Sequence, residues 1–271
     1  MTQTAPRALA EWTTDLQLDG VFCDIDDTLT HDGRLVPAAF AALADLREAG
    51  VKVVPVTGRP GGWVDQIARL WPVDGVVGEN GGLWMWRDDD TSSFERRFAQ
   101  SADERASNRA RLDALGRHIL AAVPGTALAS DQPYRDLDLA IDFCEDVASL
   151  DDHAIDAIVA EFEAAGATCK VSSIHVNGWY GAFDKLSGCQ AFARDRWGVD
   201  LATLAATWAY VGDSANDEPM FAAFPHSIGV ANVRHFLPRM RAWPAWITRG
   251  EGGHGFAEAA RHWLRARPAA T

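Results

Sequence analysis

Residues 21–33 read VFCDIDDTLTHDG. An apolar run enters this stretch, and four carboxylates then fall within nine positions, at Asp24, Asp26, Asp27 and Asp32. Burying like charges this close costs several kcal/mol each unless something positive compensates. An alternating Asp-x-Asp at the end of a buried strand suits a divalent cation.

The segments around it set the fold. Residues 19–24 read as a buried strand, 36–50 as a helix with Pro37 near its start and Gly50 as its stop, and 51–58 as a valine-rich strand. A helix over 61–72 and a strand over 74–82 follow. This alternation predicts a parallel sheet covered on both faces. The same grammar returns late: helix 185–198, strand 207–213, helix 216–224, strand 226–232, a short strand at 245–249 and a last helix at 255–266.

The middle has a different rhythm. It predicts helix 102–123, strands 126–130 and 134–143, helix 151–166, and strands 167–172 and 174–180. Neighbouring strands joined by short turns imply an antiparallel α+β unit. The expected organisation is therefore α/β, with a discontinuous Rossmann-like core over 1–86 and 181–271 and an inserted α+β domain over 87–180. In YRDLDLAIDF, alternation places Arg135, Leu137, Leu139, Ile141 and Phe143 on one face, and Tyr134, Asp136, Asp138 and Asp142 on the other. In SIHVNGW, Ser173, His175, Asn177 and Trp179 share a polar and aromatic face.

Bulk properties limit the partners. The chain has 271 residues, 48% apolar and 23% charged, with a net charge of −13. So acidic a surface disfavours nucleic acid and anionic membranes, and leaves room for a small phosphorylated ligand in a locally positive pocket. The four cysteines, Cys23, Cys144, Cys169 and Cys189, show no zinc spacing, and Cys23 reads as a core residue. Neither a signal-peptide core nor an apolar run near the ~18 residues of a membrane span is present. The expectation is a soluble cytoplasmic protein, monomeric or a small homo-oligomer.

Ligands of open parallel sheets sit beyond the carboxyl ends of the strands. Asp24, Asp26, Thr57 and Asp213 fall at such ends, Asn216 and Asp217 at a helix start, and Lys185 opens the helix after the insert. Carboxylates, a lysine, a threonine and helix N-termini together suit a phosphate with bound Mg²⁺. The motifs DIDDT, VTGR, DK and GDSANDEPMF, in that order along the whole chain, resemble the haloacid dehalogenase (HAD) superfamily of phosphohydrolases. The position of the insert, after Thr57 and before Lys185, and its helix–strand–strand repetition look like a type IIB cap. That subgroup includes Cof-like, sucrose-phosphate, mannosyl-phosphoglycerate and trehalose-phosphate phosphatases and phosphomannomutases.

The resemblance implies roles. Asp24 is the expected nucleophile and Asp26 the general acid and base. Asp24, the main-chain carbonyl of Asp26, and Asp213 are the expected Mg²⁺ ligands, with Asp217 an indirect one. Thr57, Gly58, Lys185 and Asn216 are expected to bind the phosphoryl group. The second aspartate argues for phosphate chemistry over dehalogenation. Asp27 and Asp32 read as turn residues. Arg59, Asn80, Tyr134, His175, Asn177 and Trp179 are the expected substrate contacts, with Trp179 stacking on a sugar ring; Glu79 is set aside. His254, in the glycine-rich 250–256, is a minor candidate, and Trp71, Trp197 and Trp263 read as packing. The expected activity is a Mg²⁺-dependent phosphatase acting on a small phosphomonoester, with a sugar phosphate as the favoured class. The alternatives are a phosphomutase of the same subgroup and a non-catalytic binding protein on this fold. A dinucleotide-binding fold is disfavoured because no GxGxxG follows the first strand.

Overall fold

The computed structural model describes residues 5–13, 18–88, 90–172 and 174–265. The strands are β1 (Arg7–Ala8), β2 (Gly20–Asp24), β3 (Thr30–His31), β4 (Arg34–Leu35), β5 (Lys52–Val56), β6 (Val76–Gly78), β7 (Leu83–Arg87) and β8 (Phe94–Phe98), then β9 (Ala127–Leu128), β10 (Asp138–Asp142), β11 (Thr168–Val171), β12 (His175–Trp179), β13 (Trp208–Gly212), β14 (His226–Gly229) and β15 (Trp246–Ile247). The helices are α1 (Pro37–Glu48), α2 (Gly61–Leu70), α3 (Ala102–Ala122), α4 (Asp152–Ala164), α5 (Lys185–Trp197), α6 (Leu201–Thr207), α7 (Glu218–Ala223) and α8 (Gly252–Arg265).

The large sheet runs β1-β15-β14-β13-β2-β5-β6-β7-β8. Pairing is parallel from β1 to β6 and antiparallel across β6-β7-β8. β2 and β13 are buried along their whole length, as apolar runs sandwiched between helix layers should be. One apolar cluster holds Val21, Cys23, Val53, Ile228 and Phe256, and another holds Phe22, Val54, Phe192 and Tyr210. Alternate residues of each strand thus feed the two faces. Pro37 begins α1, an Asp184–Ser187 capping box begins α5, and left-handed Gly198 ends it.

The second sheet, β11-β12-β10-β9, is antiparallel throughout, and α3 and α4 pack on one face with Leu112, Ile119, Ile158 and Phe162. The division expected between residues 86 and 87 is corrected: β7 and β8 form a hairpin that extends the large sheet. The inserted unit begins only with the Ser101–Glu104 capping box of α3. The strand expected over 134–143 is also shorter. Residues Gln132–Tyr134 form a single 3₁₀ turn containing Pro133, so the alternation holds only from Asp138 onward. Arg135, expected on the apolar face, leaves it for that reason.

Candidate active site

The strand order places β13, β2, β5 and β6 side by side, so their carboxyl ends form one floor. Asp24 is the last residue of β2, and Asp213 follows β13. Both are almost fully buried, and carboxylate oxygens of Asp24, Asp213 and Asp217 lie within 4.8 Å of one another.

Lys185, at the start of α5, reaches into this group. Its Nζ donates to Asp24 Oδ1 at 2.6 Å, to Asp217 Oδ1 at 2.7 Å and to Asn216 Oδ1 at 3.2 Å. Close packing makes the reach possible: Gly81 has φ +98°, and a Cβ there would collide with the Asp184 carbonyl. Asp217 has no oxygen to spare. Oδ1 also accepts from the Tyr210 hydroxyl, and Oδ2 accepts from the Asp213 and Ser214 amides. Asp213 accepts from Thr28 Oγ1 and Asn232 Nδ2. Burial pushes the Asp24 carboxyl up to about 8; Lys185 opposes this, and Asp217 and Asp26 add to it. Asp213 is raised by burial and then by Asp217, Asp24 and Asp27, with Lys185 opposing. The donor set is hard oxygen with excess negative charge, which fits a small divalent cation held by Asp24 and Asp213, with Asp217 behind them.

Asp26 stands at the edge of the floor, its side chain 31% exposed. Arg59 grips it through Nε and Nη2, at 2.9 to 3.2 Å. Arg59 Nη1 turns the other way, to Glu145 Oε1 of the inserted unit at 3.3 Å, and Glu145 Oε2 lies 2.9 Å from His175 Nε2. The contact with His175, helped by Arg59, holds Glu145 down at about 2. Asp142 aims this loop: its carboxylate accepts the amides of Cys144, Glu145 and Asp146.

A cavity of about 240 Å³ lies between floor and insert. Asp24, Asp26, Gly58, Arg59, Asn80, His175, Asn177, Asp213 and Asn216 all line it, as do Arg135, Lys170 and Arg239. Register explains the insert's share: Asp142 faces His175, and Ala140 and Lys170 flank Asn177, so these side chains share one face. Asn177 donates to Asp138 Oδ2 at 3.1 Å, and Arg135 Nη1 bonds both Asp138 and the Gly58 carbonyl.

Other expected residues stand elsewhere. Thr57 is fully buried beneath the cavity wall, its Oγ1 accepting from the Arg59 amide. Tyr134 is corrected: it is 61% exposed in the 3₁₀ turn and packs on Gly62 outside the cavity. Trp179 is also corrected. It shares the expected face, but at the end of the strand that abuts the core, where it is 1% exposed. It stacks on Phe183 at 5.6 Å and donates Nε1 to the Phe183 carbonyl. Ser173 lies outside the described residues. His254 is exposed beside His31, away from the cavity.

Glu79 was underrated by sequence. It is fully buried, and its carboxylate accepts the amides of Gly61, Asp136, Leu137 and Asp138. It therefore ties α2 to the entrance of β10. It and Asn80 both hold positive φ, at 44° and 55°. Glu145, Arg135, Lys170 and Arg239 were missed; Lys170 alone had a usable signal, since pairing of the strands at 167–172 and 174–180 puts it beside Asn177.

Comparison with known proteins agrees with this architecture. Residues 21–108 match the family model described as haloacid dehalogenase-like hydrolase. A search of the curated proteins finds no match. Among solved structures, a Thermoplasma acidophilum protein superposes with a TM-score of 0.67 at 17% identity, covering 92% of this chain and 99% of that one. The sucrose-phosphatase of Synechocystis, solved with sucrose and phosphate, gives 0.63 at 15% identity, over 92% and 99%. A sugar phosphatase of HAD subclass IIB gives 0.61 at 12% identity, over 91% and 99%. The fold is the HAD fold, with a large, mainly parallel sheet.

Proposed function

We propose that this chain is a haloacid dehalogenase-like hydrolase, and within it a Mg²⁺-dependent phosphatase of small phosphomonoesters, with sugar phosphates as the favoured class. The observation that carries the reading is the buried Asp24 carboxylate, held by Lys185 at 2.6 Å on the floor of a cavity that Asp26 also lines.

In this reading an Asp24 oxygen attacks phosphorus, and the bond from phosphorus to the ester oxygen breaks. Asp26 gives its proton to the departing alkoxide, leaving an aspartyl phosphate and a free alcohol. Asp26, now a carboxylate, takes a proton from water as that water attacks phosphorus. The bond to Asp24 breaks, and inorganic phosphate leaves. Lys185 and Asn216 offset the charge of the phosphoryl oxygens, and positioning with charge stabilisation is most of what phosphoryl transfer needs. Asp24, the Asp26 carbonyl and Asp213 would hold Mg²⁺, whose charge would reduce the repulsion between a carboxylate nucleophile and an anionic ester. Arg59 and Glu145 link Asp26 to the insert, so the insert helps to place the acid. Asn80, His175 and Asn177 offer the leaving group its hydrogen bonds.

The test is phosphate release from a panel of phosphomonoesters with Mg²⁺ and with chelator. Metal-dependent release supports the reading. Isomerised ester in place of free phosphate would make the protein a mutase, and inertness toward every ester would remove the activity.

A further inference from the structure

The charge on the cavity wall is the reverse of the charge on the chain. With 38 acidic and 25 basic residues, a random lining would carry spare carboxylates. Those that line the cavity, Asp24, Asp26 and Asp213, all belong to the floor. The carboxylates on the insert's side are consumed. Asp142 accepts three backbone amides, Asp138 accepts from Arg135, Asn80 and Asn177, and Glu145 is taken by Arg59 and His175.

The cations divide into two groups. Arg59 and Arg135 are neutralised by Asp26, Glu145, Asp131 and Asp138. Lys170 and Arg239 have no ion pair among the described residues, yet both line the cavity. They come from opposite sides. Lys170 lies on β11 of the insert, beside Asn177 in register, and Arg239 closes a 3₁₀ turn of the core after Phe236. Both are exposed, so they stand at the mouth, away from the floor where Asp24 meets phosphorus.

Resting on the phosphatase reading, we infer that the substrate carries a second anionic group, on the end of the leaving alcohol remote from the reacting phosphate, and that Lys170 and Arg239 receive it. A neutral sugar would need acceptors as well as donors along the wall, because hydroxyls donate as well as accept. Here the mouth offers an ammonium and a guanidinium without an ion pair among the described residues, while the insert's carboxylates are already filled. The cavity is below the roughly 300–1,000 Å³ usual for drug-sized ligands, which favours a short substrate spanning floor to mouth. A carboxylate and a second phosphate share the required chemistry.

Matched esters test this. 3-Phosphoglycerate against glycerol 3-phosphate adds a carboxylate, and glucose 1,6-bisphosphate against glucose 1-phosphate adds a phosphate. The expected result is a higher kcat/KM for the member with the second anionic group in at least one pair, and the pair that responds identifies the anion. Lys170→Ala and Arg239→Ala should each lower that value roughly three- to tenfold and leave the member without the second anion almost unchanged. Lys170→Glu should lower it further, and added salt should shrink the preference. Both positions are exposed, so these variants keep the fold. Equal turnover within both pairs, or equal losses on both members, overturns the inference while the phosphatase reading stands. No release from any ester, p-nitrophenyl phosphate included, overturns both.

Discussion

Lys185 Nζ sits 2.6 Å from Asp24 Oδ1, although the two residues are separated by 161 positions in the chain and the whole insert lies between them. Lys185→Met should therefore do more than slow the reaction. It leaves Asp24 and Asp217 buried without their cation, and breaking a buried pair in this way costs about 3–5 kcal/mol. Denaturant unfolding, with the midpoint compared to wild type, checks this. A midpoint unchanged in the absence of metal would show that the ammonium is not what holds these carboxylates together.

Glu79→Gln should destabilise the protein by roughly 1–3 kcal/mol at acid pH, below 4.5, because the amide nitrogen cannot accept from the backbone donors that the carboxyl serves. It should also change the pH dependence. Burial, and then Asp138, push Glu79 from 4.5 up to about 7. A raised folded-state value means that its contribution is fully present below 4.5 and is lost as pH rises through about 7. Wild type should thus lose stability relative to the glutamine variant across that window. Parallel stability curves would contradict this.

Trp179→Ala and Asn177→Ala should behave differently. Trp179 is core, so its loss should cost about 3–5 kcal/mol of stability and treat all substrates alike. Asn177 lines the cavity and gives Asp138 one hydrogen bond beside those from Arg135 and Asn80, so its loss should cost only about 1 kcal/mol of stability. It should weaken the preferred ester more than an aryl phosphate. Thermal unfolding with paired kinetics separates the two, and selective loss in the tryptophan variant would restore it to the substrate site.

Glu145→Gln should weaken the hold of the insert on Arg59 without removing any group from the floor. The expected effect is a several-fold fall in kcat/KM for the preferred ester, with a smaller one for p-nitrophenyl phosphate, whose leaving group needs little protonation. Equal losses on both esters would argue that Glu145 merely supports the loop.

The elements that built the floor were legible in the sequence because each obeys a local rule. Apolar runs end in Asp24 and Asp213, Pro37 and Gly50 bound one helix, and Lys185 opens another. That the sheet is parallel follows from the alternation of strands and helices; the order of its strands does not. What was not legible depends on tertiary placement. Trp179 has the alternation of a cavity residue but lies where β12 meets the core, and alternation does not record depth along a strand. Arg135 was misplaced because a 3₁₀ turn at Pro133 interrupts the period of two. Glu145 and Arg239 lie on turns whose direction is set by Asp142 and by packing after β14. Glu79 was set aside because its four donors come from two distant segments.

The most direct measurement is phosphate release by wild type and by Asp24→Asn, with Mg²⁺ and with chelator, on protein whose circular dichroism shows both to be folded. The account predicts metal-dependent release by wild type and none above background from the variant. Wild-type-like release from Asp24→Asn would remove Asp24 as the nucleophile, and the mechanism with it.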